Sequence, residues 1–377
     1  MNFDFLWISI LFLIIFSCDM NSVLGGKTTL CTAKTQIKIS SISRINPSLE
    51  QHYVKMEDDH HVCVWSKGDP TTSKYCVVLL HGRTWSTIPV YDLRYSCFGD
   101  TCMIDDENDI VDSTPIPVTN MNDDNDDEKF RNLSTFDLLA ERDVAVFGID
   151  FRGFGGTSKD KSGVVTPNRA VKDVRLILLW LQKQYNIDKP ALLGWSQGGL
   201  VAHLFAQKFP NLISDVILYA SIYDPNLVYQ RNSFFTEKEQ EDKTETKNTA
   251  KAALEDFTLP GSIEDEAGFA FAASALEADP IKATWDSLHE FNAIVPHLLK
   301  KPTLIIHGDR DPYLPPNSQD TLFTRLGSQD KAHVILENAD HCAHLIASRF
   351  AFVHYVHSFL SRPKPSSNVI NEPEFYI

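Results

Sequence analysis

Positive charge is what this 377-residue chain most plainly lacks: 35 Lys and Arg stand against 50 Asp and Glu, a formal charge of −15. Affinity for nucleic-acid phosphate needs a basic surface, so no nucleic-acid partner is expected. The imbalance is local. Between Asp100 and Lys129 eleven acidic residues face one lysine, so −10 of the charge falls in that segment and the rest is mildly acidic. Metal-ligand spacing is missing too. The seven cysteines include no C-x-x-C pair, no His/Cys cluster has zinc spacing, and the acidic runs 105–107 and 123–128 lack the spaced ligands and central glycine of a calcium loop. No metal is expected.

No hydrophobic run is long enough to cross a bilayer comfortably. The longest covers residues 5–17, thirteen positions where about twenty are needed. It suits the apolar core of a secretory signal peptide spanning 1–25, with cleavage after Gly25, and implies a secreted or lumenal chain. The preceding residues carry Asp4 and no Lys or Arg, so an uncleaved signal anchor is the alternative. That anchor is the one expected membrane contact. Removing the leader takes Cys18 with it. Cys97 with Cys102 and Cys31 with Cys63 are then plausible bridges, and Cys76 reads as a free thiol inside a buried strand. Asn132-Leu133-Ser134 is a glycosylation acceptor if the chain enters the secretory route.

What is present is ordered alternation. The length suits one large α/β domain with an insertion. Segments 35–42 and 51–65 alternate apolar and polar residues as an antiparallel edge hairpin does. Strands are expected at 75–80, 144–150, 190–195, 213–220, 303–307 and 333–336. Helices are expected at 136–142, 168–185, after Ser196, and at 349–360. Residues 91–132 read as an acidic, irregular surface insertion, 224–299 as a mainly helical lid, and 363–377 as a tail. The core is then 26–223 with 300–362. This alternation predicts a mostly parallel central sheet flanked by helices.

Chemistry concentrates at Gly194-Trp195-Ser196-Gln197-Gly198, a G-x-S-x-G pentapeptide between the apolar run 191–193 and a helical pattern from Leu200. Glycines flank the serine because neighbouring Cβ atoms would clash in so sharp a turn. A serine hydroxyl needs a histidine to take its proton and a carboxylate to orient that histidine. After the strand at 303–307 comes Gly308-Asp309-Arg310-Asp311-Pro312, with Asp311 the candidate acid and Asp309 the alternative. After the strand at 333–336 comes His341, the candidate base; His344, one turn on, reads as a packing residue. Backbone N–H groups of Gln197 and Arg83, with Thr84 next, are the candidate oxyanion donors, and Trp195 and Trp85 are candidate substrate contacts.

These landmarks resemble the α/β-hydrolase family over about 71–361. The matching pieces are His81-Gly82 after a strand, the segment Asp150-Phe151-Arg152-Gly153-Phe154-Gly155-Gly156-Thr157-Ser158 after the next, the elbow, Gly308–Pro312 and His341. The resemblance implies an α/β-hydrolase fold in which the segment at 150–158 is structural. Serine at the elbow, where dehalogenases and epoxide hydrolases of that architecture carry a carboxylate, implies acyl transfer to water with no cofactor. A small-molecule ester or lipid is the expected substrate. Phe234, Phe235, Phe257, Phe269, Phe271, Trp285 and Phe291 are either acyl-pocket lining or lid core. The alternative is an aminopeptidase resembling the proline iminopeptidases, which needs an acidic clamp from Glu264, Asp265, Glu266 or Glu277. A non-catalytic binding protein on the same fold is a third reading; it is disfavoured because every triad member is present.

Overall fold

Short runs rich in Val, Ile and Leu set the central strands of the sheet. The computed structural model describes residues 49–98, 128–231 and 245–364. Among these, the strands are β1 (Glu50–Lys55), β2 (His61–Lys67), β3 (Tyr75–Leu80), β4 (Arg94–Phe98), β5 (Glu128–Asn132), β6 (Val144–Ile149), β7 (Ala191–Trp195), β8 (Val216–Tyr219), β9 (Thr303–Gly308) and β10 (Lys331–Leu336). All except β4 and β5 join one sheet in the order β1-β2-β6-β3-β7-β8-β9-β10. Pairing is antiparallel through β1, β2 and β6, then parallel from β6 to β10. A sheet covered on both faces needs strands apolar on both, and β6, β7 and β8 are buried along their whole length.

The helices are α1 (Thr87–Tyr91), α2 (Thr135–Ala140), α3 (Pro167–Tyr185), α4 (Gln197–Lys208), α5 (Ala250–Leu254), α6 (Asp265–Ala278), α7 (Ser318–Arg325) and α8 (Arg349–Ser361). Helix α3 shows how sequence sets the boundaries. The Thr166 hydroxyl accepts from Arg169 N–H at 3.3 Å, Pro167 opens the first turn, and Asn186 ends it in left-handed geometry at φ 57°. Its buried stripe Val171, Val174, Ile177, Leu178 and Leu181 joins α4 and α7 in one apolar layer, while α2 and α8 fill the other.

The insertion differs from the expectation. Its start is ordered: α1 runs to Tyr91, and β4 pairs antiparallel with β5 from Arg94↔Asn132 to Phe98↔Glu128. The irregular insertion expected at 91–132 therefore rises from a hairpin stem. A buried carboxylate fixes the base of that stem. Asp137 accepts from Lys67, Arg94 and, at 2.7 Å, Asn132 Nδ2, while Ser134 Oγ donates to Asp92 at 2.5 Å. Both polar side chains of the glycosylation acceptor are thus used within this joint. Residues 99–127 lie outside the described residues, as do the predicted leader 1–25, segment 35–42, Cys31, Cys102, Phe234 and Phe235, and the tail from 365. The side chain of Cys97 is outside them too. Cys63 and Cys76 are free thiols, Cys63 fully buried. No described helix is long and apolar enough to cross a membrane.

Residues 245–299 hold α5, α6 and two short 3₁₀ turns, tied to the core by the bridge Val165↔Trp285. The aromatic residues here pack rather than open to solvent. Phe271 meets Phe257 at 5.1 Å and Trp85 at 6.4 Å, and Trp285 packs on Phe151 and Phe154.

Candidate active site

The elbow is built as the glycine spacing requires. Ser196 follows β7 directly, precedes α4, and sits at φ 56°, ψ −120°. A non-glycine residue there carries strain, so its neighbours must hold it. A Cβ on Gly194 would stand 2.1 Å from Gly198 O, and one on Gly198 would stand 2.4 Å from His81 O. No side chain fits at either glycine. Ser196 N donates to Tyr219 O at 2.9 Å, which ties the turn to β8.

The acid and the base meet across the ends of β9 and β10. His341 Nδ1 and Asp311 Oδ2 are 2.7 Å apart, and neither side chain exceeds 4% exposure. The other Asp311 oxygen accepts from Tyr313 N–H at 2.9 Å. Both oxygens are therefore oriented, and Nδ1 of His341 carries the proton that Asp311 accepts. Asp309 points elsewhere: it is exposed and accepts from Ala339 N–H at 3.1 Å. His344 is a buried packing residue between Tyr219 OH and Val90 O, both at 2.8 Å, and burial pushes its pKa down to about 3.

Trp195, expected as a substrate contact, is instead buried behind the base. It is 3% exposed, its indole N–H donates to His341 O at 2.9 Å, and its ring lies 5.2 Å from the imidazole. It props the base from behind and ties the base loop to the elbow strand. Trp85 is likewise buried, against Phe271, so neither tryptophan forms an open wall.

The loop 81–86 brings Arg83 beside the elbow, since a Cβ on Gly82 would come within 3.3 Å of Ser196 Cβ. His81 fixes this loop. Its Nε2 accepts from Phe151 N–H at 3.1 Å, so Nδ1 carries the proton and donates to Gly82 O at 3.0 Å. In a trans peptide the carbonyl and the next N–H point in opposite directions, so holding Gly82 O aims Arg83 N–H the other way. Among the described residues, neither Arg83 N–H nor Gln197 N–H is taken by another group. Gln197 opens α4, where the first N–H groups have no intrahelical partner. Burial lowers the His81 pKa to about 4, so the ring stays neutral.

Two carboxylates of 245–299 that the sequence did not single out reach this region. Asp279 closes α6 and accepts from Ser86 N–H at 2.7 Å and Gly155 N–H at 2.8 Å; burial raises its pKa to about 7. Asp256 is raised to about 6 by burial, an effect His341 and the adjacent Trp85 oppose. The anticipated clamp residues Glu264, Asp265, Glu266 and Glu277 are exposed along α6. Nothing in their spacing could have marked Asp256 instead, because its approach to His341 depends on how 255–262 folds back. Arg152 confirms the structural role of its segment: it is buried, with Asp173 at 2.7 and 2.8 Å and Asp160 at 2.9 Å.

Comparison with known proteins bears on the fold. Residues 128–348 match the family model for the alpha/beta hydrolase fold. The serine hydrolase BPHL of Mus musculus is 30% identical over 187 residues, covering 48% of this chain and 57% of that protein. The chain thus matches little more than half the length of this curated relative. Similar solved structures include the thioesterase domain of the curacin biosynthetic pathway (13% identity, 82% of this chain and 99% of that one, TM-score 0.52). Another is E-2-(acetamidomethylene)succinate hydrolase (15% identity, 83% and 100%, TM-score 0.52). At such identities these two speak for the fold. The sheet order, the elbow and the family match agree, and the chain belongs to the α/β hydrolase fold family.

Proposed function

We propose that the protein is a serine hydrolase acting on carboxylic esters of small or lipid-like molecules. The observation that carries the reading is the oriented His341–Asp311 pair, tied through Trp195 to the strained elbow at Ser196. Ser196 Oγ attacks the acyl carbon and its proton passes to Nε2 of His341. Asp311 stabilises the imidazolium, which then protonates the departing alkoxide and leaves an acyl-enzyme. Water attacks that ester, His341 takes its proton, and the carboxylic acid leaves as Ser196 is restored. Arg83 and Gln197 N–H groups face the developing oxyanion; one such donor is worth about 100- to 1,000-fold in rate. Segment 224–299 is read as the lid, and within its described part Phe257 and Phe271 form a packed core with Trp85 of the loop 81–86.

The test is intact-mass labelling with a fluorophosphonate probe. A single adduct on wild type, absent from Ser196→Ala, is expected, with ester turnover in that variant lower by ~10⁴- to 10⁶-fold. Folded wild type that takes no adduct sinks the proposal.

A further inference from the structure

We propose that Asp340 and Tyr313 are positioning residues that latch segment 255–262 onto the loops of the acid and the base, making it the fixed wall of the substrate site. The inference rests on the serine-hydrolase reading and concerns how that site holds its substrate. Asp340 precedes the base and is fully buried. Its Oδ2 accepts from Thr258 N–H at 3.0 Å, Leu259 N–H at 3.3 Å and Ser262 Oγ at 3.0 Å. Its Oδ1 accepts from Cys342 N–H at 2.9 Å, and the Cys342 thiol donates to Asp256 O at 3.4 Å.

Tyr313 grips the same segment from the acid loop. Its hydroxyl donates to Glu255 O at 3.1 Å, its N–H to Asp311, and its ring stands edge-on to His341 at 4.8 Å. The residues flanking the acid and the base therefore supply every one of these ties. Segment 255–262 lies between α5 and α6, outside any helix or strand ladder that would otherwise hold Thr258 and Leu259 N–H. The buried Asp340 carboxylate takes the place of such a ladder, and bonds to an ionised acceptor are the strong kind. The segment is held beside the base, because Tyr313, which grips Glu255 O, stands edge-on to the imidazole and Asp340, which grips Thr258 and Leu259, directly precedes His341. Removing the Tyr313 hydroxyl leaves its N–H on Asp311 and its ring beside His341, so the tie to Glu255 is cut without disturbing the His341–Asp311 bond. Loosening it weakens substrate binding and leaves the chemical step alone.

The experiment uses the full chain with Asp340→Asn, Tyr313→Phe and Ser262→Ala. It measures inactivation by ethyl and decyl fluorophosphonates, as kinact and KI, and turnover of p-nitrophenyl esters. Asparagine keeps an acceptor for Cys342 N–H but turns an amide donor toward two N–H groups. KI and KM are expected to rise about tenfold in Asp340→Asn and about threefold in each of the others, with kinact and kcat within about twofold. The Asp340→Asn/Tyr313→Phe double variant should show less than the product of the single effects, since both hold one segment. A fall in kinact at unchanged KI would place Asp340 on the base itself and overturn the proposal. So would wild-type constants in both Tyr313→Phe and Ser262→Ala, which also decide the matter if Asp340→Asn does not fold. Failure of the underlying reading shows separately, as wild type that takes no adduct.

Discussion

Ser196 holds a backbone conformation that a side chain disfavours, and the cost is on the order of 1–3 kcal/mol. Glycine adopts positive φ freely, so Ser196→Gly is expected to raise stability by ~1 kcal/mol in urea unfolding while abolishing probe labelling. Ser196→Ala keeps the strain and should show no such gain, which separates relief of the backbone from loss of the hydroxyl. The acid admits an equally direct test. Asp311→Asn leaves the shape of the site but presents an amide donor where Nδ1–H must donate, so the wrong tautomer of His341 is favoured. Ester turnover should fall by about 10⁴-fold with KM little changed. A fall under tenfold would mean that another carboxylate orients the base.

At the level of elements, the hairpin of β4 and β5 separates what supports the site from what is carried on it. Phe98 and Glu128 are register partners, so the chain between them can be replaced by a two-residue Asn-Gly turn without moving the stem. The replacement removes ten acidic residues and no basic one. Because Asp92, Asp137 and Arg94 anchor the stem below the excision, probe labelling should stay within about twofold and thermal unfolding within a few degrees. A loss of labelling with the fold intact would show that the insertion reaches the site. Helix α6 is a different case. It ends on Asp279, which grips the loop 81–86 and the loop after β6 together, so α6 and the candidate oxyanion loop are set by one carboxylate.

Across the whole molecule, buried groups of opposite kind set the response to acid. Burial lowers His81 to about 4 and His203 and His344 to about 3, so each is neutral when folded and protonated when unfolded between those values and the ordinary 6.5. Their contribution to stability is present above 6.5 and is lost as pH falls. Asp279, raised to about 7, works in the other sense: the folded state holds a proton that the unfolded chain, near 3.9, has released. Its contribution is present below 3.9 and is lost as pH rises to 7. Asp279→Asn removes that opposing slope. Between pH 4 and 6.5 the variant should lose stability on acidification more steeply than wild type, by on the order of 1 kcal/mol per pH unit. Chemical denaturation at four pH values measures it, and parallel wild-type and variant curves would contradict the assignment.

Much of this was legible in the chain. Apolar runs placed β3, β6, β7 and β9 to within about two residues, because a strand buried on both faces has a local signature, and the half-buried edge strand β10 was placed as closely by its short apolar run. The elbow showed itself through its glycines, and the order serine, acid, histidine followed from the strands that precede them. The short α1, the β4–β5 stem and α7 carried no such signature, being held by the buried ties and packing of residues distant in sequence. The same limit applies within the site. Sequence determined which residue types stand at which strand ends, and that was enough to nominate Ser196, Asp311 and His341. Only the tertiary structure decided that Asp311 and not Asp309 faces the imidazole, that Trp195 is buried behind the base, and that Asp340 bonds segment 255–262 while the acids of α6 face water. The physical reason is range. Periodicity is a property of neighbours along the chain, whereas the direction of a buried carboxylate is set by donors some 80 positions away that packing alone brings near.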